Sequence, residues 1–203
     1  MLLRDEALAA SGLLNPKLGG KPVYPYQPNG IWDGLAITDE RDFSYPQSTG
    51  SDLYRRSLYT FWRRTVAPGN IFDSASRQVC TVRNSVTSTP MHALTTLNDT
   101  TWVEAGRALA GLVMHAEPTV DSRLSLAFCR VCARTPKPGE LAILRRMVYR
   151  SLAEFRNQSG SAQEYLKQGS LPVDATLDSD ELAAFSTVCL AILDRKSTRL
   201  NSS

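Results

Sequence analysis

Apolar side chains recur every three or four residues through the second half of the chain, and this period constrains the fold more than any other feature. Leu141, Leu144 and Val148 illustrate it, since they fall on one face of a helix. The same spacing predicts helices over residues 90–97, 99–115, 120–133 and 141–155, and another that begins near residue 178. We therefore predict a mainly α protein with a helical bundle over residues 90–193.

Polar residues that commonly cap helices stand at the starts of these segments. Thr89 precedes Pro90, and Asp99 precedes the next apolar stripe. Side-chain oxygens of threonine and aspartate accept hydrogen bonds from the open amides of a first helical turn. Asp178 with Glu181 gives a similar capping pattern before the last helix. The pattern of caps therefore agrees with the pattern of apolar stripes.

The residues before the bundle lack a helical period. Residues 2–12 are predicted to form a helix, and residues 13–89 an irregular section that is rich in arginine and aromatic side chains. Arg56–Arg64 alternates as a strand does and contains many strand-favouring residues, although several of its side chains also fit a helical face. With Val79–Arg83 as a partner, we predict up to two short strands. Residues 157–177, inside the bundle, are predicted to be a connector.

Length and charge limit the classes of protein that fit. The 203 residues suit one domain, which we place at residues 1–193. Residues 194–203, DRKSTRLNSS, resemble a translated sequencing adapter, so we expect them to be an artefact and both natural ends to lie outside this sequence. These ten residues carry a net charge of +2, so the formal charge of +3 falls to +1 without them and gives little support for a nucleic-acid partner. No apolar run reaches the ~20 residues of a membrane span.

A block of arginines and aromatic rings in the irregular section is the candidate binding site. Guanidinium groups suit carboxylate or sulfate groups, and the rings could stack on a sugar or a base. The candidate residues are Arg55, Arg56, Tyr59, Trp62, Arg63, Arg83 and His92. The alternative interpretation is structural, with the arginines paired to carboxylates of the same chain so that they fasten the irregular section to the bundle. The carboxylates considered for this pairing are Asp33, Asp52, Asp73 and Asp99.

The cysteines and histidines indicate no catalytic or metal site. Cys129 and Cys132 have the spacing of a thiol redox pair, but they fall inside a predicted helix, so we interpret them as small buried side chains. Zinc would need two further ligands at suitable spacing, and Cys80 and Cys189 are far away in sequence. His115, like the other histidine, lies outside any metal-binding motif. We therefore assign no catalytic residue, metal or cofactor to the chain, and whether it is an enzyme stays open.

Several motifs along the chain resemble those of a known family. They are Arg4–Gly12, Tyr26–Pro28 with Trp32, Asp52–Arg64, Phe72–Asp73, Cys80–Arg83, Thr89–Pro90, Ala93–Leu94, Leu97–Asp99, Leu177–Asp178 and Glu181–Ala184. Together they resemble the C-terminal domain of unknown function, number 1553, of planctomycete multidomain proteins that also carry cytochrome-c-like domains. The resemblance extends over nearly the whole chain, as far as Leu193.

The resemblance implies a function only in outline. It implies an exported bacterial protein of the periplasm or cell envelope, whose partners are upstream domains of the same protein and whose haem, if any, is bound upstream. It supplies no catalytic residues. Our first hypothesis is a non-catalytic structural or binding domain. The alternative is part of a polysaccharide-processing enzyme that grips carbohydrate through the arginine and aromatic block, and a thiol redox module at Cys129 and Cys132 is a third.

Overall fold

The computed structural model describes residues 2–28, 30–32, 45–62 and 90–200. Within these ranges the protein has seven α-helices and no strand, which confirms the mainly α prediction. The helices are α1 (Leu2–Ser11), α2 (Pro90–Asn98), α3 (Thr100–Ala116), α4 (Val120–Cys132), α5 (Pro138–Asn157), α6 (Ser161–Leu166) and α7 (Ser179–Leu200). None of the helices described is both long and apolar enough to cross a membrane.

The core of the bundle lies between α3 and α7, which make the most extensive contact of any two elements. Leu109 and Phe185 are fully buried there. Gly106 allows the two helices to approach closely, because a Cβ atom at this position would lie 3.1 Å from both the Leu190 Cβ and the Ser186 carbonyl oxygen. The two helices are therefore closely packed at Gly106.

The predicted stripes and caps of the other helices also match the structure. Val148 of α5 is buried, as its spacing predicted, and Phe128 is buried on the inner side of α4. Asp99 caps α3 by accepting a hydrogen bond from the Thr101 amide at 2.9 Å. Asp178 accepts one from the Glu181 amide before α7, also at 2.9 Å. Thr89, the cap predicted for α2, lies outside the described residues.

The connector predicted over residues 157–177 contains a helix that the sequence did not reveal. Gly160, at φ 86°, turns the chain into α6, whose Ala162 and Leu166 are buried in the core. Six residues give less than two turns, so no apolar period can be recognised in so short a segment. The remaining residues, up to the start of α7, form the loop that packs across α3.

The strand predicted for Arg56–Arg64 is wrong in its described part. Ser57–Tyr59 forms a 3₁₀ turn, and the preceding residues Gly50–Tyr54 form another. The backbone then pairs with the opening loop at single bridges only, where the Val23 amide donates to the Tyr59 carbonyl and the Phe61 amide donates to the Val23 carbonyl. The turns bend the chain too sharply for a continuous ladder. Val79–Arg83, the second predicted strand, lies outside the described residues.

Candidate functional site

Four of the seven predicted site residues lie in the described part of the irregular section, and the structure places them in different surroundings. Arg55 is buried with 3% of its surface exposed, whereas Arg56 is exposed. Tyr59 and Trp62 are half-buried. Arg63, Arg83 and the side chain of His92 lie outside the described residues.

Arg55 and Tyr59 are brought together around the opening loop. The Arg55 guanidinium donates to the carbonyl oxygens of Lys17, Gly19 and Lys21, with distances of 3.1 Å and 3.2 Å for the first and last. It also lies over the Tyr59 ring, 4.2 Å from the ring centre. The Tyr59 hydroxyl in turn accepts a hydrogen bond from the Gly19 amide at 3.0 Å. This pair therefore organises the loop over residues 17–21.

Arg56 points to α1 instead. Its Nε lies 4.0 Å from the Asp5 carboxylate, at the limit of an ion pair, and 46% of its side chain is exposed. Exposed pairs of this kind contribute less than about 1 kcal/mol. Among the described residues the internal partners of Arg55 and Arg56 are thus carbonyl oxygens and Asp5, which was not one of the carboxylates proposed from the sequence. Two of the proposed carboxylates, Asp33 and Asp73, lie outside the described residues.

Two charged residues of α1 hold the 3₁₀ turns, and sequence analysis did not single them out. Arg4 has only 1% of its surface exposed, and its guanidinium donates to the carbonyl oxygens of Leu53 at 2.8 Å and Arg55 at 2.9 Å. The Asp5 carboxylate accepts from both the amide and the hydroxyl of Ser57, each at 2.7 Å. Burial lowers the pKa of Arg4, and the neighbouring Asp5 charge opposes that shift. The two side chains bind polar backbone groups that no regular ladder satisfies.

The most enclosed polar cluster lies on α3, around Glu104. Its side chain is fully buried, and its carboxylate accepts hydrogen bonds from the Tyr54 hydroxyl at 3.2 Å, the Leu171 amide at 2.7 Å and the Ser170 amide. Arg107 follows one turn later, 3.8 Å from the carboxylate, and donates to the Leu171 carbonyl oxygen at 2.6 Å. We call Glu104, Arg107, Tyr54 and the segment Gly169–Leu171 the Glu104 cluster.

The Glu104 cluster joins three parts of the chain that are distant in sequence. Tyr54 comes from the irregular section, Glu104 and Arg107 come from α3, and Ser170 comes from the loop between α6 and α7. Tyr26 of the opening loop extends the cluster, since its hydroxyl also accepts from the Ser170 amide at 2.9 Å. Through this cluster the helical bundle holds both a loop of its own and the irregular section.

Burial sets the electrostatics of the cluster. It raises the pKa of Tyr54, and the Glu104 charge raises that pKa further, so the hydroxyl remains protonated and donates to the carboxylate. Burial also raises the pKa of Tyr26. Burial lowers the pKa of Arg107, while the Glu104 charge opposes the shift. Burying one member of such a pair without the other would leave an uncompensated charge, which is strongly destabilising.

Gly169 fits this cluster because it has no side chain. Its φ is +85°, a conformation that side chains of L-residues rarely adopt. A Cβ atom there would lie 2.1 Å from Oε1 of Glu104, which is well inside van der Waals contact. The loop backbone therefore lies directly against the carboxylate that binds its next two amides.

One signal in the sequence could have indicated this cluster. The α3 sequence, TTWVEAGRALAGLVMHA, contains Glu104 and Arg107 as its only fixed charges within a nearly continuous apolar helix. Charged residues are almost never fully buried unless they are paired. The partners Tyr54 and Ser170 could not be inferred, because they are 50 and 66 residues away in the chain.

The described cysteines and His115, which were considered for redox or metal chemistry, lie in structural surroundings. Cys129 and Cys132 are half-buried near the end of α4 and Cys189 is fully buried, where burial raises the pKa of its thiol to about 12. The His115 Nε2 lies 2.6 Å from the Asp174 carboxylate, at the surface. Among the described residues no group of three or more His, Cys, Asp or Glu side chains is arranged to hold a metal ion.

A comparison with family models decides the family. The model described as PSD1, protein of unknown function (DUF1553), matches residues 1–148. The chain belongs to the DUF1553 family. The match includes α1, the irregular section and α3, so it contains Arg4, Asp5, Glu104 and Arg107. No curated protein and no solved structure matches the chain.

Proposed function

We propose that this DUF1553 chain is a non-catalytic structural or binding domain of a larger, exported multidomain protein that is associated with cytochrome-c-like domains. The observation that carries the structural part of this proposal is the Glu104 cluster. A buried carboxylate and a buried guanidinium fix a loop and the irregular section to α3. A domain organised in this way presents one defined surface to its neighbours.

The geometry of Glu104 favours a structural role over a catalytic one. Each of its carboxylate oxygens already accepts from a donor of the protein, and the side chain is fully buried. A general acid or base must come within hydrogen-bond reach of a substrate. A carboxylate that receives two backbone amides and a tyrosine hydroxyl instead holds those groups in place.

The export, the cytochrome-c association and the upstream partners rest on the resemblance of the motifs described above. In this part of the proposal residues 1–193 form one domain, the neighbouring domains of the same protein are its partners, and any haem is bound by one of them. The sequence of the complete gene tests it directly. We expect a signal peptide and a Cys-x-x-Cys-His motif upstream, and a gene that lacks both would contradict this context.

The substitution Glu104→Gln tests the structural role. Glutamine keeps the shape and one carbonyl acceptor but removes the charge, so Arg107 is left buried without its counter-ion. We expect a loss of about 3–5 kcal/mol in the free energy of unfolding, measured with urea. Glu164→Gln on α6 is the matched control, because Glu164 is exposed and its replacement should change the stability by less than about 0.5 kcal/mol.

The direction of the Glu104→Gln effect separates the two kinds of role. Residues of active sites are often strained, and their replacement tends to leave the stability unchanged or to increase it. A stable Glu104→Gln variant would therefore contradict the structural role and indicate a site for substrate or ligand. Hydrogen exchange at Leu53, Tyr54 and Leu171 adds a local readout, since the structural role requires faster exchange at these amides in the variant.

The alternative, a carbohydrate-gripping part of a polysaccharide-processing enzyme, has one specific observation in its favour. Arg56 is 46% exposed and lies 4.0 Å from its nearest carboxylate, so its guanidinium remains accessible. Arg55, in contrast, donates to three carbonyl oxygens and is buried. If the block grips carbohydrate, Arg56→Gln should weaken binding of a sulfated polysaccharide while leaving the fold intact.

A further inference from the structure

The outward side of α5 carries a set of arginines around an exposed tyrosine. Leu144 and Val148 are the buried residues of this helix, and they pack with α4 and α7. At 100° per residue the opposite side of the helix is centred on Arg146, with Tyr149 about 60° and Arg156 about 80° to one side of it. We define the α5 outer face as Ala142, Ile143, Arg146, Tyr149, Arg150, Ala153 and Arg156, all of which are exposed.

Two arginines of the α5 outer face have no counter-ion in the described part of the chain. Arg150 pairs with Glu154 at 2.9 Å, and Arg145 at the edge of the face forms a double hydrogen bond with Asp121 at 2.7 Å. Arg146 and Arg156 have no carboxylate partner among the described residues. They are separated by ten residues, or about 15 Å along the helix axis.

Tyr149 lies between these two arginines and offers an accessible ring. The residue is 54% exposed, and Ile143 on the same face is 50% exposed. Its neighbour one turn further along the helix is Ala153, whose methyl group is too small to cover the ring. A large aromatic side chain exposed between cations is suited to contact with a ligand that is both flat and anionic.

We propose that the α5 outer face binds an anionic polysaccharide, with sulfate or carboxylate groups at Arg146 and Arg156 and a sugar ring against Tyr149. Charge complementarity selects an anionic ligand. The size of the face selects a polymer chain, because seven side chains along one helix fall short of the 20–30 residues per partner that a stable protein interface uses. A narrow ridge with charges about 15 Å apart along the axis matches an extended polymer that crosses the helix obliquely from Arg146 over Tyr149 to Arg156.

This inference goes beyond the proposed structural role and uses none of its residues. The Glu104 cluster lies on α3 and in its loop, whereas Arg146, Tyr149 and Arg156 lie on α5. A negative result for the polysaccharide would leave the Glu104→Gln experiment unaffected. A stable Glu104→Gln variant would likewise leave the proposal of polysaccharide binding at the α5 outer face unaffected.

Binding of the full chain to dextran sulfate, followed by calorimetry at two salt concentrations, tests the proposal. Uncharged dextran and poly-L-glutamate are the two comparison polymers, the first without charge and the second without sugar rings. We expect dextran sulfate to bind and uncharged dextran not to bind. We expect poly-L-glutamate to bind at least about fivefold more weakly than dextran sulfate, because it lacks a ring that can lie against Tyr149.

Point variants locate the site. Arg146→Gln should weaken dextran sulfate binding about tenfold, and Tyr149→Ala about fivefold. Arg145→Gln is the matched control, because it removes the same charge from the same helix but its guanidinium is already held by Asp121. We expect that control to change the affinity less than about twofold. Circular dichroism should show that each variant keeps the helical content of the wild type.

Three results would overturn the proposal. The first is an equal effect of Arg145→Gln and Arg146→Gln, which would indicate attraction to net charge alone. The second is unchanged binding in Tyr149→Ala or equal affinity for poly-L-glutamate, since neither is compatible with a sugar ring on the tyrosine. The third is a loss of binding in Arg56→Gln without a loss in Arg146→Gln, which would place the carbohydrate at the arginine and aromatic block.

Discussion

In the bundle, α3 and α7 bury Leu109 and Phe185 against each other, and the apolar stripes of the other helices add to the same continuous core. At the irregular section, by contrast, the buried apolar cluster is small, and among the described residues it joins Leu53 and Tyr54 to Leu8 of α1. Its buried backbone is instead bound by the guanidinium groups of Arg4 and Arg55. The bundle is therefore stabilised mainly by buried apolar area, and the irregular section mainly by a few polar contacts.

Aromatic stacking gives the irregular section part of its order. Tyr24 stacks on Phe61 with 4.8 Å between the ring centres, and Trp32 stacks on Tyr45 at 5.1 Å. Tyr24 and Tyr45 meet edge to face at 5.4 Å, so the four rings form one cluster. Such pairs contribute about 0.5–1.5 kcal/mol each beyond the burial of their surface.

This difference between the bundle and the irregular section indicates where single substitutions should destabilise the protein most. A core of many apolar contacts spreads its stability over many residues, whereas a region held at a few polar points depends on each of them. Single substitutions at those points should therefore have large effects, and equally drastic substitutions nearby should have small ones. The following predictions test this contrast with pairs of matched variants.

Gly169→Ala should have the largest effect of the variants in this comparison, similar to that of Glu104→Gln. The new methyl group would overlap the Glu104 carboxylate, and the backbone is already at φ +85°. We expect a loss of about 4 kcal/mol in the free energy of unfolding, because the loop must leave the carboxylate and the amides of Ser170 and Leu171 lose their acceptor. Urea denaturation measures the loss, and hydrogen exchange at the two amides shows whether it is local.

Gly160→Ala is the control for the backbone conformation alone. Gly160 has nearly the same φ, +86°, but no atom lies within 4 Å of a Cβ placed there. We expect a loss of about 1 kcal/mol from strain. Equal losses in the two variants would show that contact with Glu104 contributes nothing and that the loop is not held at this point.

Arg4→Met should have the next largest effect. Methionine preserves much of the apolar stem but leaves the carbonyl oxygens of Leu53 and Arg55 without a donor, so we expect a loss of about 3 kcal/mol. The exposed Arg56→Met is its partner experiment, with an expected loss below about 0.5 kcal/mol. If both variants unfold at the same urea concentration as the wild type, the irregular section is not held by α1.

The helices of the bundle could be predicted because their cause is local. The position of Asp99 before an apolar stripe, and the repeats that contain Phe128 and Val148, depend on residues within one or two turns. The same reasoning failed for α6, which is too short to show a period. It also failed for Arg56–Arg64, where strand-favouring residues form a 3₁₀ turn because Asp5 binds the amide and hydroxyl of Ser57.

The candidate site was harder to predict because its contacts are distant in sequence. The arginine and aromatic block was recognised, and Arg55 does contact Tyr59, but their further partners are backbone carbonyls that no residue type reveals. Glu104 was missed although it is the most enclosed charged residue described. Its neighbour Tyr54 lies inside the matched family region and its neighbour Ser170 lies beyond it, 50 and 66 residues away, so spacing along the chain carries no information about them.

Two glycines of α3 allow a packed position and an open position within the bundle to be compared. Gly106→Ala adds a methyl group 3.1 Å from the Leu190 Cβ and the Ser186 carbonyl, neither of which can move without shifting α7. The crowding should exceed the gain in helix propensity, for a net loss of about 1 kcal/mol. Gly111→Ala, with open space at the Cβ, should instead gain about 0.5–1 kcal/mol. A gain in stability in both variants, read from thermal or urea midpoints, would mean that α3 and α7 are not tightly packed at Gly106.

The smallest effect is expected at the surface pair of His115 and Asp174, which attaches the end of the same loop to α3. The hydrogen bond from His115, together with those from Thr176, lowers the pKa of Asp174 from 3.8 to about 2. A lowered carboxyl pKa stabilises the folded state above pH 3.8, and this contribution is lost as the pH falls from 3.8 to about 2. The stability difference between the wild type and Asp174→Asn should therefore close over that interval.

Urea denaturation of both proteins between pH 2 and pH 6 measures that difference, with His115→Gln as the control that removes the main cause of the shift. With His115→Gln present in both proteins, we expect a smaller difference in the free energy of unfolding between Asp174 and Asn at this position above pH 4. The reason is that the carboxylate then retains only the hydrogen bonds from Thr176. A gap that stays constant down to pH 2 would show that the charge of Asp174 does not hold the loop. The loop would then depend on the Glu104 cluster, and the difference in stabilisation between buried and exposed attachment points would be larger than described.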